Sequence, residues 1–131
     1  MFFKEINVTL NDVAELLDAE VLSGHDQLGS EVKTGFGADL MSDVLAFAKP
    51  GSMLLTGLTN PQVVRTADIL DIAAIILVRG KRPAPETIQL AREINMPILS
   101  TRFILFESVG RLYAKGVRGC IERVDINFGR P

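Results

Sequence analysis

The fold is decided by residues Ile72 to Pro83, which read Ile-Ala-Ala-Ile-Ile-Leu-Val-Arg-Gly-Lys-Arg-Pro. The first seven are apolar without alternation, which is typical of a strand buried on both faces inside a parallel sheet. Arg79, Gly80, Lys81 and Arg82 then bring positive charge and a flexible backbone to the carboxyl end of the strand. Because ligands of open α/β sheets bind at that edge, the run predicts a fold and the place of a site.

Strands and helices alternate on both sides of this run. The patterns predict strands at 19–22, 32–38, 52–56, 72–78 and 98–100, and helices at 9–17, 39–48, 60–70, from Pro85 to about Ile94, and 102–115. Such alternation indicates right-handed crossovers between parallel strands. We therefore predict a three-layer α/β/α fold with a mostly parallel sheet of four or five strands.

Local signals place several boundaries. Asn60 followed by Pro61 is a helix start, because a capping side chain precedes proline at the first helical position. We expect Gly35-Phe36-Gly37 to form a turn, Asp39 to start a helix, and Thr101 to cap another. The spacing of Leu40, Val44 and Phe47 predicts one apolar helix face.

The C-terminal tail, residues 116–131, has an apolar alternation of its own. Val124, Ile126 and Phe128 alternate with polar residues, which fits a half-buried edge strand or a segment that crosses to a partner subunit.

Composition sets the class of protein. The chain has 131 residues, enough for one domain, and a mean hydropathy of +0.26, which leaves room for an apolar surface covered by another subunit. A net charge of −2 gives no basic field for nucleic acid. The single cysteine makes an intrachain disulfide impossible, and no apolar run approaches the ~20 residues of a membrane span. With no secretory signal apparent, we expect a cytoplasmic protein.

Four loops are expected to meet at the carboxyl edge of the sheet: 35–39, 56–60, 79–82 and 100–102. They combine glycine backbones, hydroxyl groups, helix starts and arginine, a set suited to a phosphate or carboxylate group. The candidate ligand-binding residues are Gly37, Asp39, Thr56, Gly57, Thr59, Asn60, Arg79, Gly80, Ser100 and Thr101. The alternative is a purely structural role, in which Thr59, Asn60 and Thr101 cap helices and bind no ligand. Arg79 follows a buried strand directly, so either a ligand or an ion pair would explain it.

Catalytic and metal chemistry find little support in the sequence. Gly35-Phe36-Gly37 lacks the third glycine of a dinucleotide fingerprint, and no phosphate-binding P-loop motif is present. His25 is the only histidine and Cys120 the only cysteine, so we expect no zinc site, no other metal and no cofactor. We predict no catalytic residue, and lean against an enzyme.

Three stretches resemble a known family. They are VTLNDVAELLDAEVLSG at 8–24, GADLMSDVLAFAKPGSMLLTGLTNP at 37–61, and IILVRGKRPAPETIQLAREINMPILSTRFILFESVGRL at 75–112. Together they resemble the DRTGG domain and the N-terminal domain of HPr kinase/phosphorylase. Two departures stand out: Leu58-Thr59-Asn60 occupies the place of the family's Asp-Arg, and Arg79-Gly80 replaces a Gly-Gly pair.

The resemblance implies a non-catalytic regulatory or assembly module. It implies the fold of the kinase's N-terminal domain, in one DRTGG-like domain with its core at 8–115. Three hypotheses stay open at this point. The first is a homodimeric ligand-sensing module, and the second is a structural subunit that binds a partner protein through its apolar tail. The third is a small enzyme acting on a phosphorylated substrate through Arg79 and Asp39.

Overall fold

A computed structural model describes residues 7–125 of the chain. Within them the elements follow in the order β1 (Val8–Thr9), α1 (Leu10–Leu16), β2 (Glu20–Ser23), β3 (Glu31–Val32), β4 (Thr34–Gly37), α2 (Met41–Phe47), β5 (Met53–Thr56), α3 (Pro61–Ile69), β6 (Ala74–Leu77), α4 (Pro85–Glu93), β7 (Ile98–Ser100), α5 (Leu105–Lys115) and β8 (Arg118–Gly119). A short 3₁₀ turn at His25–Gln27 follows β2.

The main sheet has the strand order β2-β7-β6-β5-β4-β8. The pairs from β7 to β8 are parallel, and only β2 runs antiparallel to its neighbour β7. The predicted mixed α/β fold with a mostly parallel sheet is therefore confirmed. Residues 7–125 contribute six strands to this sheet rather than four or five, because β8 has two residues, too few for a sequence pattern. The small strands β1 and β3 pair separately.

The predicted central strand lies inside the sheet and is buried on both faces. Ile76 of β6 pairs with Leu55 of β5 and Leu99 of β7. Alternate residues enter two different cores: Ile76 packs in the core that includes α1 and α5, whereas Ile75 packs in the core that includes α2, α3 and α4. The sheet is therefore the middle of three layers, and each core lies between the sheet and the helices on one of its faces.

The segment predicted as one strand at 32–38 contains parts of two strands. The prediction of a turn at Gly35-Phe36-Gly37 was wrong. Residues Glu31–Val32 pair with β1, whereas Thr34–Gly37 join the main sheet beside β5. Gly35 and Gly37 lie inside β4, and neither has a positive φ. The pattern failed because glycine signals a turn only where the backbone needs the left-handed region, and here the backbone is extended.

Two predicted helix starts were also wrong. Helix α2 begins at Met41 with Leu40 at the cap position, because the Asp39 carboxylate is engaged elsewhere. Leu40 is 60% exposed, so of the predicted apolar face only Val44 is fully buried. Helix α5 begins at Leu105, since the Thr101 hydroxyl donates to the carbonyl of Leu17 (2.6 Å) instead of capping a helix.

The helix start at Asn60 is confirmed. The Asn60 side chain accepts a hydrogen bond from the backbone N–H of Val63 (3.3 Å), and Pro61 is the first helical residue. The cap fixes where the loop after β5 ends and α3 begins, which in turn fixes the length of that loop at the edge of the sheet.

The predicted tail strand falls partly outside the described residues, which end before Ile126 and Phe128. Within them, the strand of this region is β8, and residues 120–125 that follow it form no strand. Val124 is 42% exposed. Among residues 7–125, no helix combines the length and apolar content that a membrane crossing requires.

Candidate functional site

Parallel strands β4 to β7 end at the same edge of the sheet, and the loops that follow them form the candidate site. Their last residues are Gly37, Thr56, Leu77 and Ser100. Each strand is followed by a loop of three to seven residues before the next helix begins, so side chains from separate parts of the chain come within contact distance. The fold thus produces the convergence of loops that the sequence predicts.

Asp39 is the centre of this edge. Its Oδ1 atom accepts a hydrogen bond from the Thr56 hydroxyl (3.0 Å) and another from the backbone N–H of Gly57 (2.8 Å). Its Oδ2 atom lies 3.6 Å from Nη1 of Arg79. One carboxylate therefore connects three of the four predicted loops. We call Asp39, Thr56, Gly57 and Arg79 the edge site.

The backbone of Arg79 is unusual. Its φ is +64°, and Gly80 follows with a φ of +65°, so two successive residues are left-handed. The other non-glycine residues with positive φ in 7–125 are aspartates and an asparagine at the ends of helices, where such conformations are tolerated. A strained arginine costs about 1–3 kcal/mol, and such strain is concentrated at functional sites.

Backbone hydrogen bonds hold this turn in place. The N–H of Arg79 donates to the carbonyl of Phe103 (2.8 Å), and the N–H of Gly80 donates to the carbonyl of Thr101 (2.9 Å). The turn after β6 is thereby fixed to the loop after β7. The sequence did not indicate the part played by Phe103, because a backbone acceptor leaves no mark on residue type.

Gly57 explains where the Arg79 side chain lies. A Cβ atom added at Gly57 would overlap the guanidinium group, so the glycine lets that group lie directly against the backbone. The Arg79 side chain is nevertheless 40% exposed. The edge site therefore presents a positioned guanidinium group with part of its surface open to solvent.

The remaining predicted site residues have other partners. The Ser100 hydroxyl donates to the carbonyl of Lys81 (3.1 Å), and the buried Thr101 hydroxyl points to Leu17. The carbonyl of Thr59 accepts from the Thr87 hydroxyl (2.8 Å), which ties the loop after β5 to α4. Asn60 caps α3. These residues shape the loops, but their side chains are not gathered around Asp39.

Gly37 and Gly80 have no side chain to contribute to the edge site, but both affect the backbone beside it. Gly80 contributes the second left-handed residue of the turn that carries Arg79. Gly37 ends β4 two residues before Asp39, and a Cβ atom there would come within 3.3 Å of the Leu105 side chain. Both glycines therefore support the edge site through the backbone.

The Asp39 pKa lies below the usual value of 3.8. The Gly57 N–H is the main cause, and the Thr56 hydroxyl and the positive charge of Arg79 act in the same direction, while partial burial opposes them. The carboxylate is therefore ionised at neutral pH, and it holds Arg79 by charge as well as by geometry.

Other charges at this edge are mostly positive. Arg82 pairs with Glu20 across 3.5 Å, so these two charges offset one another. Lys81 belongs to the same loop, and the Arg102 side chain passes close to Gly80. Within residues 7–125, no group of three or more histidine, cysteine, aspartate or glutamate side chains is placed to hold a metal ion.

Comparison with known proteins gives one family and a set of similar folds. The sequence model described as the DRTGG domain matches residues 12–114, which is most of the chain. A search of curated proteins gives no significant match. Eleven chains of solved structures match significantly.

One of these structures is the crystal structure of the CBS and DRTGG domains of the regulatory region of Clostridium perfringens pyrophosphatase, complexed with the activator diadenosine tetraphosphate. The two chains superpose with a TM-score of 0.70 at 18% sequence identity. The match covers 89% of this chain and 54% of the other, so this chain spans about half of that regulatory region. At this identity the likeness establishes the fold.

Proposed function

Because this chain belongs to the DRTGG domain family, we propose that it is a non-catalytic regulatory module that senses a small anion, a phosphate or nucleotide, at the edge site. The observation that carries this proposal is the placement of Arg79, whose guanidinium group is positioned by Asp39 and Gly57 yet remains 40% exposed. We also propose that residues 1–131 form one DRTGG-like domain with its core at 8–115.

The geometry of Arg79 suits an anion better than a neutral ligand. A guanidinium group carries five N–H donors in a planar fork that matches phosphate and carboxylate groups. Asp39 approaches it from one side at 3.6 Å, which leaves donors on the exposed side for a second anion. The backbone strain at Arg79 supports the same interpretation, since strained residues are concentrated at functional sites.

An enzymatic role is disfavoured by the state of Asp39. A general base works best with a pKa near the working pH, whereas the Asp39 pKa is lowered and its carboxylate already accepts two hydrogen bonds. It is the only acid in the four edge loops. The described neighbour, a regulatory region in complex with a nucleotide activator, supports the ligand class without identifying a ligand for this chain.

The test is thermal unfolding of the full chain with pyrophosphate, ATP and diadenosine tetraphosphate. A ligand present at a hundredfold its Kd should stabilise the wild-type protein by about 2.7 kcal/mol. Arg79→Gln should weaken binding about tenfold or more, because a hydrogen bond to a charged group is lost. Arg82→Gln is the matched control, since Arg82 carries the same charge at the same edge but lies outside the edge site and is 76% exposed.

Equal binding by wild type and Arg79→Gln would remove Arg79 from the site. The absence of stabilisation by all three phosphate compounds would remove the anion-sensing role, and the interaction role described next would then be the proposed function.

An interaction surface supports the second candidate function, that of a homodimer or a partner-binding subunit. Phe106 is 86% exposed on α5, and Gly110 and Ala114 follow it at helical spacing on the surface. We call these three residues the α5 ridge. A Cβ atom at Gly110 would meet no atom of residues 7–125 within 4 Å, although glycine weakens a helix interior by about 1 kcal/mol relative to alanine. A second helix packed on the ridge would explain both features.

Size-exclusion chromatography with light scattering tests the dimer. At tens of micromolar we expect the wild-type protein to be dimeric and Phe106→Ser to be monomeric, because the substitution removes the largest apolar contact of the ridge. Ile69→Ser serves as the control, since Ile69 is 73% exposed on α3 and lies outside the ridge. A monomeric wild type would exclude the homodimer and leave a partner protein as the occupant of the ridge.

A further inference from the structure

A concavity apart from the edge site lies on the face of the sheet that is covered by α5. It is a pocket of about 230 Å³ between α5 and the strands β4, β5 and β8, and we call it the α5–β4 pocket. Its lining includes Gly35, Gly37, Leu55 and Leu112, which we call its floor, and the exposed residues Tyr113 and Arg118, which we call its mouth. None of the edge-site residues lines it, so it is a separate feature of the fold.

Strand β4 carries two glycines that line the pocket, where the paired residues of β5 carry large side chains. Gly35 and Gly37 are two residues apart on the same strand, so both face α5. Neither has a positive φ, and a Cβ atom at Gly35 would make only an ordinary contact of 3.6 Å with Leu55. Neither backbone conformation nor steric crowding therefore requires glycine at Gly35. A glycine inside a strand weakens it, and often marks a place that a ligand approaches closely.

The size of the pocket selects the ligand. An apolar cavity of about 150 Å³ is enough to bind benzene, whereas drug-sized ligands occupy about 300–1,000 Å³. At about 230 Å³ the α5–β4 pocket has room for a single aromatic ring with a short substituent. Leu55 and Leu112 provide apolar contacts but no hydrogen-bonding side chain, so the buried part of the ligand must be apolar.

The mouth adds a positive charge in a fixed position. The Arg118 guanidinium carbon lies 4.0 Å from the centre of the Tyr113 ring. Its Nη1 atom donates to the carbonyls of Tyr113 (2.9 Å) and Val117 (3.2 Å). Within residues 7–125, the Nε and Nη2 atoms of Arg118 make no hydrogen bond and no ion pair is formed. The exposed part of this guanidinium group can therefore receive a carboxylate.

From this combination we propose that the α5–β4 pocket binds a small aromatic carboxylic acid. The ring lies over the β4 backbone at Gly35, against Leu55 and Leu112, and the carboxylate is bound by Arg118. Glu122 lines an adjoining concavity together with Tyr113 and Arg118, so we expect its negative charge to oppose the binding of the carboxylate.

Calorimetric titration of the full chain with phenylacetate tests the proposal. We expect saturable binding to the wild-type protein, and binding at least about tenfold weaker for Arg118→Gln, because the charge-assisted hydrogen bonds are lost. Benzyl alcohol, which has the ring without the carboxylate, should bind more weakly by a similar factor. Glu122→Gln should bind more tightly than the wild type, because it removes a like charge from the mouth.

Gly35→Ala is the second structural variant. It should reduce binding by partly filling the floor, while circular dichroism and unfolding show an intact fold, since alanine is favoured over glycine in a strand. The proposal is overturned if phenylacetate gives no saturable heat, or if Arg118→Gln binds as the wild type does. It is also overturned if binding appears only after residues 126–131 are deleted, because the chain itself would then occupy the pocket.

Discussion

We expect Ile76→Ala to lower the free energy of unfolding by about 2–5 kcal/mol, the cost of removing a large aliphatic side chain from a packed core. Ile76 is completely buried and lies between Leu55 and Leu99 on the two adjacent strands. Its side chain packs in the core shared with α1 and α5. The substitution would leave a cavity there, because the surrounding core residues can relax only partly into the space. Urea unfolding of wild type and variant at neutral pH measures the difference.

The control for this experiment is Ile69→Ala. It removes the same atoms from a side chain that is 73% exposed, and surface substitutions usually change stability by less than about 0.5 kcal/mol. If both substitutions cost the same, the buried central strand would not be the main support of the fold.

The second large effect is expected at Asp39. Asp39→Ala should lower the free energy of unfolding by about 1–3 kcal/mol, because the Thr56 hydroxyl and the Gly57 N–H both lose their acceptor. Thr56 is completely buried, so water can replace the carboxylate only in part. Asp39→Asn is the matched variant. It keeps an acceptor oxygen of the same shape and should cost less than alanine does.

The pH dependence separates charge from hydrogen bonding at this residue. The Asp39 pKa is lowered in the folded state, so its ionisation stabilises the fold above pH 3.8, and the contribution is lost as the pH falls through the folded-state pKa. The difference in stability between wild type and Asp39→Asn should therefore shrink in acid. A difference that stays constant between pH 7 and pH 2.5 would contradict this assignment.

The sequence predicted the sheet because the signals along Ile72–Pro83 agree. The run is apolar without a break, it ends in charged residues, and strands alternate with helices on both sides of it. All three features indicate a buried parallel strand, and β6 lies inside the sheet as expected. Short elements were harder. β8 has only two residues, too few for a pattern. The sequence Gly-Phe-Gly in β4 is also typical of a turn, although its backbone is extended here.

The edge site was predictable in its location and less so in its contacts. The topology of parallel strands brings loops together whatever their residues are, so Asp39, Thr56 and Arg79 could be expected at one edge. The direction of each side chain depends on competing partners. Asp39 and Thr101 are both residue types that often cap helices. In the structure, however, Asp39 accepts a hydrogen bond from the Gly57 N–H, and the Thr101 hydroxyl donates to the Leu17 carbonyl.

The residues that replace the family's Asp-Arg pair have structural roles here. The Leu58 N–H donates to the Thr56 hydroxyl oxygen (3.2 Å), Thr59 receives a hydrogen bond from Thr87, and Asn60 caps α3. The loop after β5 is therefore held by its own hydrogen bonds, and its shape does not depend on a charged pair at these positions.

The antiparallel pairing of β2 with β7 has a consequence for the order in which the chain folds. The N-terminal segment is anchored by partners made much later: Glu20 pairs with Ser100, Ser23 donates to the carbonyl of Met96, and Leu17 accepts from Thr101. During synthesis, β2 and the end of α1 cannot make these contacts until the residues up to Thr101 have left the ribosome. Because contacts between residues distant in sequence form slowly, we expect the pairing of β2 with β7 to be a late event in folding.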